Sequence, residues 1–140
     1  MILNDAGRMI EQVCQELPMN LPYVGLGIFQ IMPNHFHGIF TIENSASLGA
    51  GLRACPGRPR RVAPTQNDVS LSEIVGRFKS LTTNRYMHGV KKLNWPRFET
   101  RLWQRNYYEH VIRNERDYQA IADYIYCNPQ NWEKDAEYPI

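Results

Sequence analysis

Residues 23–42 read YVGLGIFQIM, then PN, then HFHGIFTI, and the fold turns on this stretch. Two runs rich in β-branched and aromatic residues flank Pro33-Asn34, a turn signal. The pattern predicts a strand over 23–32, a second over 35–42, and an antiparallel hairpin between them. Along a strand, side chains two apart share a face. His35 and His37 therefore point to one side, and Phe36 points to the other, into a core. Two imidazoles so spaced, roughly 7 Å apart along the strand, can converge on one metal ion. The bland alternative is a pair of unrelated surface histidines, one of them near a turn.

Working outward, residues 4–17 read as a helix. Asn4 or Asp5 can cap it, Ala6, Met9, Ile10, Val13 and Leu17 recur at helical spacing, and Pro18 is expected to end it. After the hairpin, 44–69 is rich in Gly, Pro, Ser, Ala and Arg and reads as a long flexible loop. Ser70 and Glu73 make a capping-box pattern. Leu71, Ile74, Val75, Phe78, Leu81 and Thr82 then mark an amphipathic helix of about five turns. Residues 102–113 (LWQRNYYEHVIR) read as a third strand. Residues 115–127 read as a last helix, with Tyr118, Ile121, Ala122 and Ile125 as its apolar stripe and Pro129 just past its end. The tail over 130–140 reads as irregular. The order α-β-β-loop-α-β-α predicts an α+β fold, helices packed on one antiparallel sheet. Three strands make a thin sheet for this much helix.

The chain has 140 residues, 43% of them hydrophobic and 21% charged, which suits a single globular domain over 1–140 and excludes wholesale disorder. No run approaches the ~18–20 apolar residues of a membrane helix, and the opening residues lack a secretory pattern. Cys14, Cys55 and Cys127 are far apart with no Cys-x-x-Cys. That excludes a disulfide scaffold and a thiolate zinc knuckle, and predicts a cytoplasmic protein. Net charge is only +2, but thirteen Lys/Arg against four Asp/Glu fall between Arg53 and Arg113, and three against ten elsewhere. A basic middle between acidic ends suits phosphate groups, or simply a solvated mixed-sign surface.

A His pair needs a further ligand, and Asn128, Glu109, His110 and Asp123 are candidates. Imidazole plus oxygen donors favours Mg²⁺ or Mn²⁺ for work on phosphate, with Zn²⁺ the fallback. Tyr124 and Asn128 are four apart and share a helix face. Asn128 can offer its carbonyl oxygen to a metal while Tyr124 offers a phenol beside it, and a tyrosine can attack phosphorus. Taken alone, Tyr124 could equally be the edge of the apolar stripe. Arg77, Lys79, Arg85, Lys91 and Lys92, with Arg97, Arg101 and Arg105, could track a nucleic-acid backbone. Trp95, Trp103, Tyr107 and Tyr108 are interleaved and could stack unpaired bases, although Trp103 also reads as a core residue.

Four stretches in this order, Met32–Gly38, Ser72–Ser80, Leu102–Arg113 and Tyr124–Pro129, together resemble the IS200-like transposase family, in particular its REP-associated tyrosine transposase branch. The resemblance runs over nearly all of the chain. It implies a ferredoxin-like antiparallel sheet and a single-tyrosine HUH nuclease acting on single-stranded or hairpin DNA. His35 and His37 would be metal ligands, Tyr124 the nucleophile, and Asn128 would stand where related transposases carry a glutamine ligand. Family members usually start one strand and a hairpin earlier, so the sheet is expected to lack its first strand. Monomers and homodimers both fit the family. Two rivals stand beside this reading: a metal-dependent phosphodiesterase that activates water, and a non-catalytic DNA-binding remnant.

Overall fold

The computed structural model of the chain describes residues 2–43 and 69–134. Helix α1 (Asp5–Asn20) leads into strand β1 (Val24–Ile31) and strand β2 (Phe36–Ile42), followed by α2 (Leu71–Lys92) and α3 (Glu115–Cys127). Short 3₁₀ turns at Asn128–Gln130 and Trp132–Lys134 close the described part. The α+β class expected from the sequence is what forms.

Local chemistry accounts for the helix starts. Asn4 Oδ1 accepts from the Gly7 N–H at 2.8 Å, Ser70 Oγ from Glu73 at 3.2 Å, and Asn114 Oδ1 from Asp117 at 2.9 Å. Each satisfies a first-turn donor that lacks a helical partner. Pro18 does not end α1 as expected but lies inside it. Its ring costs one N–H so near the end that the last turn still closes, with the Leu21 N–H donating to the Leu17 carbonyl at 2.9 Å. Helix α2 ends where Asn94 takes φ 59°, a left-handed backbone that asparagine tolerates. The chain then folds back so that the Trp95 ring lies over Gly89, where any β-carbon would come within 2.7 Å of Cζ3.

The hairpin is antiparallel. Val24 faces Ile42 and Leu26 faces Phe40; beyond an irregularity, Phe29 faces Gly38 and Ile31 faces Phe36. Gly27 and Ile28 of β1 lie opposite Ile39 alone, which is a β-bulge. The extra residue keeps Val24, Leu26 and Phe29 on the side of Phe36 and Phe40. That side meets α1 and α2: Val13, Cys14, Leu17, Leu21, Val24, Ile74 and Phe78 form the buried cluster, with Phe29, Phe36 and Phe40 packed against it. Phe36 stacks on Phe78 with ring centroids 5.0 Å apart. Helix α3 packs against both strands. It reaches the His37 side through Tyr124, with Ile39 and Ile125 buried.

The third strand expected over 102–113 does not form, and the described sheet has two strands. Strand propensity is expressed only where a partner edge is available. Here the segment is tied down by side chains instead. Trp103 Nε1 donates to Thr82 Oγ1 at 2.7 Å, and Lys79 Nζ donates to the Gln104 and Arg105 carbonyls at 2.7 and 3.2 Å. The loop expected over 44–69 lies outside the described residues except for Val69, which packs on the core. In the tail, the 3₁₀ turns replace the irregular start expected at Gln130, and 135–140 lie outside the described residues. No described helix is long and apolar enough to cross a membrane.

Candidate active site around His35 and His37

His37 is carried by β2, and its ring leaves the face opposite Phe36. His35 precedes the strand at the hairpin turn, where its carbonyl accepts from the Met32 N–H at 2.9 Å. The two imidazoles meet edge to face, Nε2 to Nε2, at 2.9 Å. The expected shared side is therefore real, and the rings converge on one point.

Asn128 comes to the same point from the first residue after α3. It is 3% exposed, and its Nδ2 lies 3.0 Å from His37 Nε2. The 3₁₀ turn that Pro129 opens holds it, the Asn131 N–H donating to the Asn128 carbonyl at 2.9 Å. One helical turn earlier, Tyr124 meets His37 edge to face with centroids 5.5 Å apart, and it is 56% exposed. The helix-face pairing of Tyr124 and Asn128 thus delivers both side chains to the histidines. Of the other ligand candidates, Glu109, His110 and Asp123, none joins them: no cluster of three or more His, Cys, Asp or Glu able to hold a metal occurs among the described residues.

The proton inventory of this group is informative. His35 Nδ1 lies 2.8 Å from Asn34 Oδ1, which only accepts, so Nδ1 carries the proton and Nε2 a lone pair. With Nδ2 of Asn128 turned toward it, His37 Nε2 acts as the acceptor. The two Nε2 atoms lie 2.9 Å apart. That spacing suits either a proton between the rings or one cation bound by both. Two nitrogens ~2.1 Å from one ion at a right angle would be about 3.0 Å apart, so the donor set fits a divalent ion. Turning the Asn128 amide about its last bond would present Oδ1 as a further ligand.

Sequence reasoning passed over two residues here. Asn34 was read only as a turn former. Trp132 sits in the second 3₁₀ turn with its ring 5.6 Å from that of His35. Neither a motif nor a periodicity marks it.

The basic residues divide. Arg77, Lys91, Lys92 and Arg105 are exposed. Lys79 is engaged with the 104–105 carbonyls and sits 5.6 Å from the centroid of Tyr107. Arg85 pairs with Glu16 of α1, Nη1 donating to Oε1 at 3.3 Å, and this bond holds the Glu16 carboxyl below its ordinary pKa. Trp103 is packed against the core, as its alternative reading had it. Tyr108 is 94% exposed.

A Haemophilus influenzae (strain Rd) protein named only as uncharacterized is 37% identical over 145 residues, spanning 99% of this chain and 72% of its own length. The chain belongs to the family of that Haemophilus protein. A shorter similarity, 54% identity over 28 residues, connects 20% of the chain with 17% of the REP-associated tyrosine transposase of Escherichia coli K12. No family model matches the chain, and no solved structure matches it.

Proposed function

We propose that the protein is a divalent-metal-dependent nuclease that cleaves and rejoins single-stranded or hairpin DNA through a tyrosine nucleophile, the chemistry of a transposase. The observation that carries this reading is the convergence of His35 Nε2, His37 Nε2 and the Asn128 amide beside an exposed tyrosine. The short similarity to a named tyrosine transposase supports it.

In this reading His35, His37 and Asn128 would hold Mg²⁺ or Mn²⁺, which when bound would polarise the scissile phosphate. The Tyr124 oxygen attacks phosphorus and forms a 5′-phosphotyrosine bond as the bond to the 3′ oxygen breaks. The phenol proton ends, in net terms, on the departing 3′-hydroxyl. Phosphoester exchanges for phosphoester, so rejoining is the reverse step and needs no nucleotide triphosphate. His37 walls the Tyr124 ring from one side, limiting where the phenol can swing. Arg77, Lys91, Lys92 and Arg105 contact backbone phosphates, which positions the strand without reading its bases. Lys79 and Arg85 contribute to the same surface while bracing α2 against its neighbours.

The test is a covalent adduct. The protein is incubated with Mn²⁺ and end-labelled hairpin DNA from beside its own gene, then run on a denaturing gel with Tyr124→Phe in parallel. A shifted protein–DNA band absent from the variant is expected. A band that survives in Tyr124→Phe assigns the nucleophile elsewhere, and cleavage without any band assigns the attack to water.

A further inference from the structure

We infer that Asn34 is a positioning residue that fixes the tautomer of His35 and so keeps its Nε2 lone pair turned toward the ion. The inference rests on the metal site proposed above and goes beyond it by assigning the group that makes one ligand competent. The geometry is direct: Asn34 Oδ1 stands 2.8 Å from His35 Nδ1. An amide oxygen has no proton to give, so the bond exists only with the proton on Nδ1. A neutral imidazole in water favours the other tautomer, with the proton on Nε2. That tautomer would aim an N–H, not a lone pair, at His37 Nε2 and at the ion position. The hydrogen bond made by one ring nitrogen decides the state of the other.

The hairpin places Asn34 where this is possible. His35 lies before the first paired residue of β2, so its ring is oriented from the turn and from the Trp132 ring 5.6 Å away. Two roles for Asn34 must be separated. A plain turn former is replaceable by glycine, which suits turns as well as asparagine does. A tautomer-fixing acceptor is not replaceable by glycine, but it is replaceable by aspartate, which keeps the accepting oxygen. The two variants therefore pull the roles apart.

The experiment uses metal-free ¹⁵N-labelled protein at about pH 8, where an ordinary imidazole is neutral. Long-range ¹H–¹⁵N correlation spectra give the tautomer of each histidine, and His35→Gln assigns the His35 signals. Mn²⁺ affinity is measured on the same samples. Wild type is expected to show the Nδ1–H form at His35. Asn34→Gly is expected to shift the ring to the Nε2–H form and weaken Mn²⁺ binding by ~10–100-fold. Asn34→Asp is expected to keep the wild-type spectrum and bind Mn²⁺ at least as tightly. Asn34→Gly with an unchanged His35 spectrum overturns the inference. So does a changed tautomer with unchanged Mn²⁺ affinity, because the ring would then not depend on Asn34 for ligation. Should wild type itself bind no Mn²⁺, it is the metal-site reading that fails. The His35 spectra then still decide whether Asn34 holds the tautomer.

Discussion

Phe36 and His37 are neighbours in the chain and lie on opposite faces of one strand, and the two faces are built differently. The Phe36 face is redundant. Phe36, Phe78 and Trp103 succeed one another as ring contacts of 5.0 and 5.2 Å, backed by Leu17, Ile74 and Val13, each fully buried. The His37 face is polar at its centre, where His37 meets both His35 and Asn128, and its aromatic neighbour Tyr124 is more than half exposed. Redundant packing supplies stability and is insensitive to the chemistry of any one atom. On the His37 face the state of each polar atom counts. The comparison implies that the packing of one face and the polar group of the other can be damaged separately.

The sharpest way to break the comparison is a crossed pair of variants. Tyr124→Phe is expected to abolish adduct formation while moving stability by no more than ~0.5 kcal/mol, since it removes one exposed hydroxyl. Phe78→Ala is expected to cost ~3–5 kcal/mol, lowering Tm by on the order of 10 °C in a thermal melt. If Tyr124→Phe melts as low as Phe78→Ala, the His37 face is structural and the comparison falls. A smaller effect is expected at Gly89, where a β-carbon would overlap the Trp95 ring. Gly89→Ala should lose ~1–3 kcal/mol by denaturant unfolding despite alanine's better helix propensity, because the ring must move. A stabilised variant would show that Trp95 yields freely. Trp103→Phe removes the donor to Thr82 Oγ1 and should cost ~1 kcal/mol beyond the change in ring volume.

Thiol chemistry gives a readout without any substitution. Cys14 is buried among the core residues, and burial, reinforced by the charge of Glu11, pushes its thiol up to about 12. Cys127 is exposed at the end of α3. Brief alkylation at pH 8 followed by peptide mass mapping should label the Cys127 peptide and spare the Cys14 peptide until denaturant is added. Equal labelling would mean that the core opens as readily as the surface.

The smallest effect concerns pH. Glu16 is held below its ordinary pKa by the Arg85 hydrogen bond. Its contribution is therefore present above the unfolded-state value near 4.5 and is lost as pH falls through the lower folded value. Arg85→Gln should lower stability slightly at neutral pH, where the pair is intact, and converge with wild type as pH falls through the folded value, which flattens the acid limb; the effect is small because the pair is partly solvated.

What was legible in the sequence was local. The alternation His35-Phe36-His37 fixes faces because a strand has period two, and the Ser70/Glu73 pattern marks a helix start because cap and donor lie three residues apart. The four-residue spacing of Tyr124 and Asn128 placed both at the histidines for the same reason. What was missed depends on partners distant in the chain. Residues 102–113 have strand composition, but no described strand pairs with them. The partner of Arg85 is Glu16, 69 positions away, and no pattern announces it. Trp132 reaches His35 only because a 3₁₀ turn carries it back. Pro18 does not stop α1 because its cost falls on a single bond, and one bond at a helix end is easily forgone.

The bulge between Leu26 and Phe29 has a consequence for how this gene can tolerate length changes. Strand β1 carries one residue more than its pairing uses. Losing a residue at Gly27 or Ile28 would restore strict alternation and leave Val24, Leu26 and Phe29 facing the helices as before. Losing one elsewhere in the strand would invert the parity of everything on one side of the cut, exchanging residues that face α1 and α2 with residues that face α3. The bulge is thus the point in β1 where a one-residue deletion keeps the facing pattern on both sides of the cut, and it lies directly across the sheet from the strand that carries His37.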